Sequence, residues 1–185
     1  MINLEKIMLP ETVEVDGSVY YVQTSFKFWL SFLRTAADKK NKNKDYSFMY
    51  KVQGHKPADQ QHSFVALAQF CNPPQILPRI EKGSDTVLDY TLDADYIYSA
   101  FLEQYGIDLL TSDMHWYKFQ ALLRGLHDTK LNEIIGFRSY ENKSGKQDEY
   151  TRHMEKMRDM WELPQESDEE DEDLKAFEAL LYPNE

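Results

Sequence analysis

The residues with chemistry to offer are five histidines, one cysteine and several carboxylate groups. The histidines are His55, His62, His115, His127 and His153, and none lies four residues from another. No H-E-x-x-H pair is therefore present to grip a metal from one helix face, and no carboxylate pattern completes a ligand set. His115, beside Trp116, reads as a packing or surface residue. Cys71 has no His or Asp placed to activate it and reads as a buried thiol. A single cysteine also excludes an internal disulfide framework and a cysteine-based zinc site. Asp93 and Asp95 form a spaced carboxylate pair, but a helix cap and a favourable dipole charge account for them, and acid/base work would need a cleft as well. The glycines are isolated, so neither a dinucleotide fingerprint nor a phosphate loop is present. Lys39, Lys40, Lys42 and Lys44 cluster without interleaved aromatics, as a solvated loop does. The expectation is a protein without catalytic, cofactor-binding or metal-binding residues, with a small enzyme such as a hydrolase as the remote alternative.

Composition points the same way. The chain of 185 residues carries a net charge of −11, which argues against a nucleic-acid binder. Its length suffices to bury a core without staples. Seven glycines and seven prolines are too few for a disordered or sandwich-type chain and fit a helix-rich fold. No apolar run approaches membrane-span length, and the start MINLEKIMLPETVEVDG lacks the shape of a signal peptide. These features predict a soluble intracellular domain that binds other protein. The acidity is uneven: residues 165–185 hold nine acids and one base, Lys175, leaving residues 1–164 at a net of only −3. Six consecutive carboxylates, Asp168 to Asp173, repel one another and stay solvated. Leu174, Phe177, Leu180 and Leu181 follow at helical spacing.

The elements that would position these residues are mostly helical. Two β-branched and aromatic runs in TVEVDGSVYYVQT flank Asp16-Gly17, a tight-hairpin signal. Thr24-Ser25 offers a hydroxyl cap for a helix to Ala37, with Phe26, Trp29, Leu30 and Leu33 on one face and Phe28 and Phe32 widening it. Residues 45–90 are the least legible, with a short strand over Tyr46–Val52 and a helix over Ala58–Cys71 that Pro73, Pro74 and Pro78 stop. Further helices are expected from Asp93 to Tyr105, closed by Gly106; from Met114 to Arg124, capped by Ser112 or Asp113; from Asp128-Thr129; and over 146–162. The fold class is mainly α: five or six helices with an N-terminal β-hairpin, one helical domain over 1–164 and an acidic tail over 165–185.

The block Tyr90-Thr-Leu-Asp-Ala-Asp-Tyr-Ile-Tyr-Ser-Ala-Phe-Leu-Glu-Gln-Tyr-Gly-Ile-Asp-Leu109, then Met114-His-Trp-Tyr-Lys-Phe-Gln-Ala-Leu-Leu123 and Ile134-Ile-Gly-Phe-Arg138, resembles the bacteriophage "Gp fifteen" family of tailed phages and prophages of Gram-positive bacteria. The likeness covers most of residues 10–160 and is specific over 90–138. Tyr117 stands where the pattern has a second Trp, and the acidic tail is particular to this chain.

The resemblance implies a product of the tail-gene cluster and no catalytic residues. Proteins in that position are typically tail assembly chaperones, some with a frameshift-extended form, that coat the tape-measure protein and are absent from the virion. It thus implies the tape-measure protein as partner, with an upstream or frameshift-related tail protein and a second copy of the chain as further ones, and the bacterial cytoplasm as location. The alternative is a structural tail component retained in the particle. Candidate partner-binding residues are Phe28 and Phe32 on the first helix, Met154, Met157 and Trp161 on the last, and Phe177 and Leu181 in the tail. Flexible methionines suit a groove that accepts variable apolar helices.

Overall fold

The computed structural model describes residues 2, 4, 8–41, 43–52, 54–72, 87–142, 145 and 147–164. The acidic tail, with Phe177 and Leu181, and the proline segment after Cys71 lie outside them. Among the described residues are a two-stranded antiparallel hairpin and six α-helices. The chain divides into two compact units, Met1–Ser84 with Tyr90–Glu133, and Asp85–Asp89 with Ile134–Glu185.

In the first unit, strands β1 (Thr12–Val15) and β2 (Ser18–Tyr21) pair Val15 with Ser18 and Thr12 with Tyr21. Asp16 and Gly17 both take positive φ, 51° and 75°, as a two-residue turn of the primed type requires. Val13 and Val15 are buried, Glu14 faces out, and β1 packs on α2. Helix α1 (Phe26–Ala37) follows, then a 3₁₀ turn (Ser47–Met49), α2 (Gln60–Cys71), α3 (Ala94–Tyr105) and α4 (Trp116–Gly125). Helix α5 (Lys130–Arg138) starts in the first unit and finishes in the second, which also holds α6 (Glu149–Trp161).

Three local expectations are revised. Ser25 sits at the N-cap of α1, but its hydroxyl caps nothing; the Phe28 N–H bonds to the Ser25 main-chain carbonyl at 3.1 Å, and the Phe26 N–H to the Met114 carbonyl at 2.8 Å. Helix α4 starts at Trp116 rather than Met114 because residues 114–116 are occupied in that exchange, the Trp116 N–H returning to the Thr24 carbonyl at 2.7 Å. The strand expected over 46–52 is a 3₁₀ turn, with only Tyr50 bridging to Val22. Helix α2 is capped by Asp59, whose carboxylate accepts from the Gln61 and His62 N–H groups.

The core of this unit is an aromatic stack. Phe119 lies between Phe26 (centroids 4.7 Å apart, planes 9° apart) and Phe101 (5.3 Å, 12°), with Trp116 at 5.7 Å. Trp29 stacks on Phe70 at 4.8 Å and meets Trp116 at 6.3 Å. Phe101, Trp116 and Phe119 are buried, while Leu123 is half-buried. Truncating Phe119 to Ala should cost about 3–5 kcal/mol, read as a drop in chemical-denaturation stability. Gly106 closes α3 at φ 65°, its N–H bonding to the Leu102 carbonyl and that of Ile107 to Phe101. A Cβ at Gly106 would meet nothing within 4 Å, so Gly106→Ala should cost only the left-handed backbone penalty, about 1 kcal/mol in the same measurement.

Candidate partner-binding surface

The family-like block is built around the N-terminus of α4. His115 occupies its N-cap position, and its ring Nδ1 accepts from the Tyr117 N–H at 3.0 Å. With Nδ1 an acceptor, Nε2 carries the proton and donates to the Pro10 carbonyl, 2.9 Å away. The imidazole is therefore neutral and binds the segment before β1 to α4. The next side chains cap another helix. Trp116 Nε1 and Gln120 Nε2 donate to the Cys71 carbonyl at 2.8 and 3.2 Å, and the Tyr117 hydroxyl donates to the Phe70 carbonyl at 3.0 Å. These are terminal carbonyls of α2, which have no partner within their own helix. The His-Trp-Tyr pattern thus ties the start of α4 to the segment before β1 and to the end of α2.

The other titratable groups are dispersed. Burial pushes the Cys71 thiol up to about 12, so it is not a thiolate at neutral pH. His62 Nδ1 lies 2.8 Å from Asp16 at the surface, and that carboxylate raises its pKa. Among the described residues no group of three or more His, Cys, Asp or Glu is arranged to hold a metal.

The candidate partner-binding residues fall in different places. Phe32 is buried, 2% exposed, against Trp29, Tyr46 and Phe64, so it belongs to the core and is corrected from a surface role. Phe28 stays on the outer side of α1, 38% exposed. In the second unit Met154, Met157 and Trp161 are half-buried on α6, where Asp148 caps the helix by accepting from the Thr151 N–H and Arg138 Nε donates to the Trp161 carbonyl at 2.6 Å. Arg138 also donates to the Val87 carbonyl, holding residues 87–89 in the same unit.

The sequence profile of the family described as Bacteriophage Gp15 protein matches residues 6–163. The chain belongs to that family. No curated protein and no solved structure matches it.

The chain also exposes apolar residues outside that candidate set: Met160 and Tyr150 on α6, Leu110 after α3, and Val19 and Tyr21 on β2. Met160 continues the spacing of Met154 and Met157, and that signal was available in the sequence. Leu110 gave none, because it sits in a loop without periodicity.

His115 makes the first unit sensitive to acid. Burial holds its pKa below the ordinary histidine value, partly offset by the Pro10 carbonyl and the Glu11 carboxylate and reinforced by Lys118 and Lys51. Since the unfolded chain binds the proton first, the contribution of neutral His115 is complete above about pH 6.5 and is lost as pH falls through the depressed folded value. His115→Asn keeps a cap that does not titrate. Denaturation midpoints followed against pH should show a shallower loss on acidification for this variant than for the parent.

Proposed function

We propose that this phage protein is a tail assembly chaperone that keeps the tape-measure protein soluble before the tail tube forms. Membership of the Gp15 family supports the phage setting, and the amphipathic helix α6 carries the reading to a binding role. Along one side of α6, Met154 and Met157 are half-buried while Met160 is 61% exposed, with Tyr150 exposed at the other end. Unbranched methionines adapt to apolar side chains of varied shape, which suits a client made of long amphipathic helix. Among the described residues no helix is long and apolar enough to cross a membrane. On this reading the protein works in the host cytoplasm and does not remain in the finished virion.

Co-expression tests it. The tape-measure protein should be soluble and co-purify with the full chain. It should return to the pellet with the variant Tyr150→Glu/Met160→Glu, whose altered side chains are both exposed and leave the core intact. A tape-measure protein equally insoluble with and without this chain would overturn the proposal. Stoichiometric amounts of the chain in purified virions would favour the structural alternative.

A further inference from the structure

Helix α1 and the loop after it carry positive charge that the rest of the chain does not share. Residues 26–44 hold six bases, Lys27, Arg34, Lys39, Lys40, Lys42 and Lys44, and one acid, Asp38, in a chain of net charge −11. The Asp38 carboxylate is turned onto the backbone of its own loop, accepting from the Lys40 and Asn41 N–H groups. Lys44 Nζ sits on the Ala36 carbonyl at the end of α1. A cation at a helix C-terminus is favourable there and accounts for that lysine. Lys27 and Arg34 are different. They are exposed, lie seven positions apart on one stripe, and form no ion pair with any described residue. The rise of a helix separates them by about 10 Å. The stripe is not purely polar. Phe28 is exposed beside Lys27, and Lys27 Nζ bonds to the carbonyl of Leu110, whose side chain is 75% exposed.

A surface of this kind fits a segment that joins a run of carboxylates to a few large apolar residues. The chain itself contains one. Asp168 to Asp173 supply six acids in a row, and Leu174, Phe177, Leu180 and Leu181 follow directly. We propose that the α1 stripe is the docking surface for the acidic segment 166–181 of a second copy of this chain, carboxylates meeting Lys27, Arg34 and the loop lysines, apolar residues covering Phe28 and Leu110. Complementary potentials steer such an encounter and set its register, while the apolar contacts supply the residence time. Two copies that exchange segments reciprocally satisfy both stripes at once and close as a dimer. The ion pairs remain at the surface, so salt screens them.

Analytical ultracentrifugation of the full chain at low and high salt tests this. The parent should form a concentration-dependent dimer whose dissociation constant rises by about tenfold or more at high salt. Reversing the stripe (Lys27→Glu, Arg34→Glu, Lys39→Glu, Lys40→Glu) should give a monomer, as should changing all six residues 168–173 to Lys. Combining the two reversed sets in one chain should restore the dimer. All the stripe positions are exposed, and circular dichroism checks that each variant is folded. A parent that stays monomeric at every concentration overturns the proposal. So does a dimer indifferent to either reversal, or a failure of the combined variant to recover.

Discussion

The first unit depends on a two-way exchange of main-chain hydrogen bonds between segments far apart in sequence. The Phe26 N–H binds the Met114 carbonyl, and the Trp116 N–H binds the Thr24 carbonyl. Each bond takes a donor that a helix N-terminus leaves without an intrahelical partner. Helices α1 and α4 therefore start side by side, and the residues that follow are brought face to face. Phe26 meets Phe119, Trp29 meets Trp116, and the stack extends to Phe70 and Phe101. Without the exchange, those two N–H groups would have to find water beside the aromatic core or remain unsatisfied, at a cost of about 1–3 kcal/mol each.

That arrangement explains why some elements were legible in the sequence and others were not. The hairpin was legible because Asp16-Gly17 encodes its turn within two residues. The end of α3 was legible because Gly106 follows the last apolar position of its own helix. Family likeness was legible in the 90–138 block, where Phe101, Trp116, Tyr117 and Phe119 are closely spaced and all buried in the core. The start of α1 was legible at Ser25, whereas α4 starts two residues later than expected because its first turn is set by the exchange with α1. Ser25 has the side chain of a cap, yet its hydroxyl accepts nothing, and the Phe28 N–H bonds to the Ser25 main-chain carbonyl at 3.1 Å. His115 was read as an ordinary packing residue because a histidine cap has no short sequence signature.

The candidate surface was legible only in part for a related reason. Periodicity reports which residues share a helix face, but a helix apolar around much of its circumference has two faces to choose between. On α1, Phe28 and Phe32 are four positions apart, but only Phe32 is enclosed, by Tyr46 and Phe64 from elements whose positions no local pattern gives. On α6 the charged residues mark the outer side more sharply, and the methionines fall between the two environments.

The capping of α2 by α4 also explains what position 117 requires. A Trp at position 117 would offer a ring N–H, while Tyr117 offers a hydroxyl, and that hydroxyl reaches the Phe70 carbonyl at 3.0 Å. Either side chain places a flat ring against Phe70, which Tyr117 does with centroids 5.0 Å apart, and either ends in a single donor. What the position requires is an aromatic body with a proton at its tip, since the carbonyl it satisfies is buried and has no helical partner. Burial pushes the Tyr117 pKa up to about 12, which keeps that proton in place throughout the physiological range. Trp116 and Gln120 meet the same requirement one carbonyl further on, so the three donors of α4 anchor the end of α2. The hydrogen-bonding capacity of Trp116, Tyr117 and Gln120 is thereby spent inside the fold.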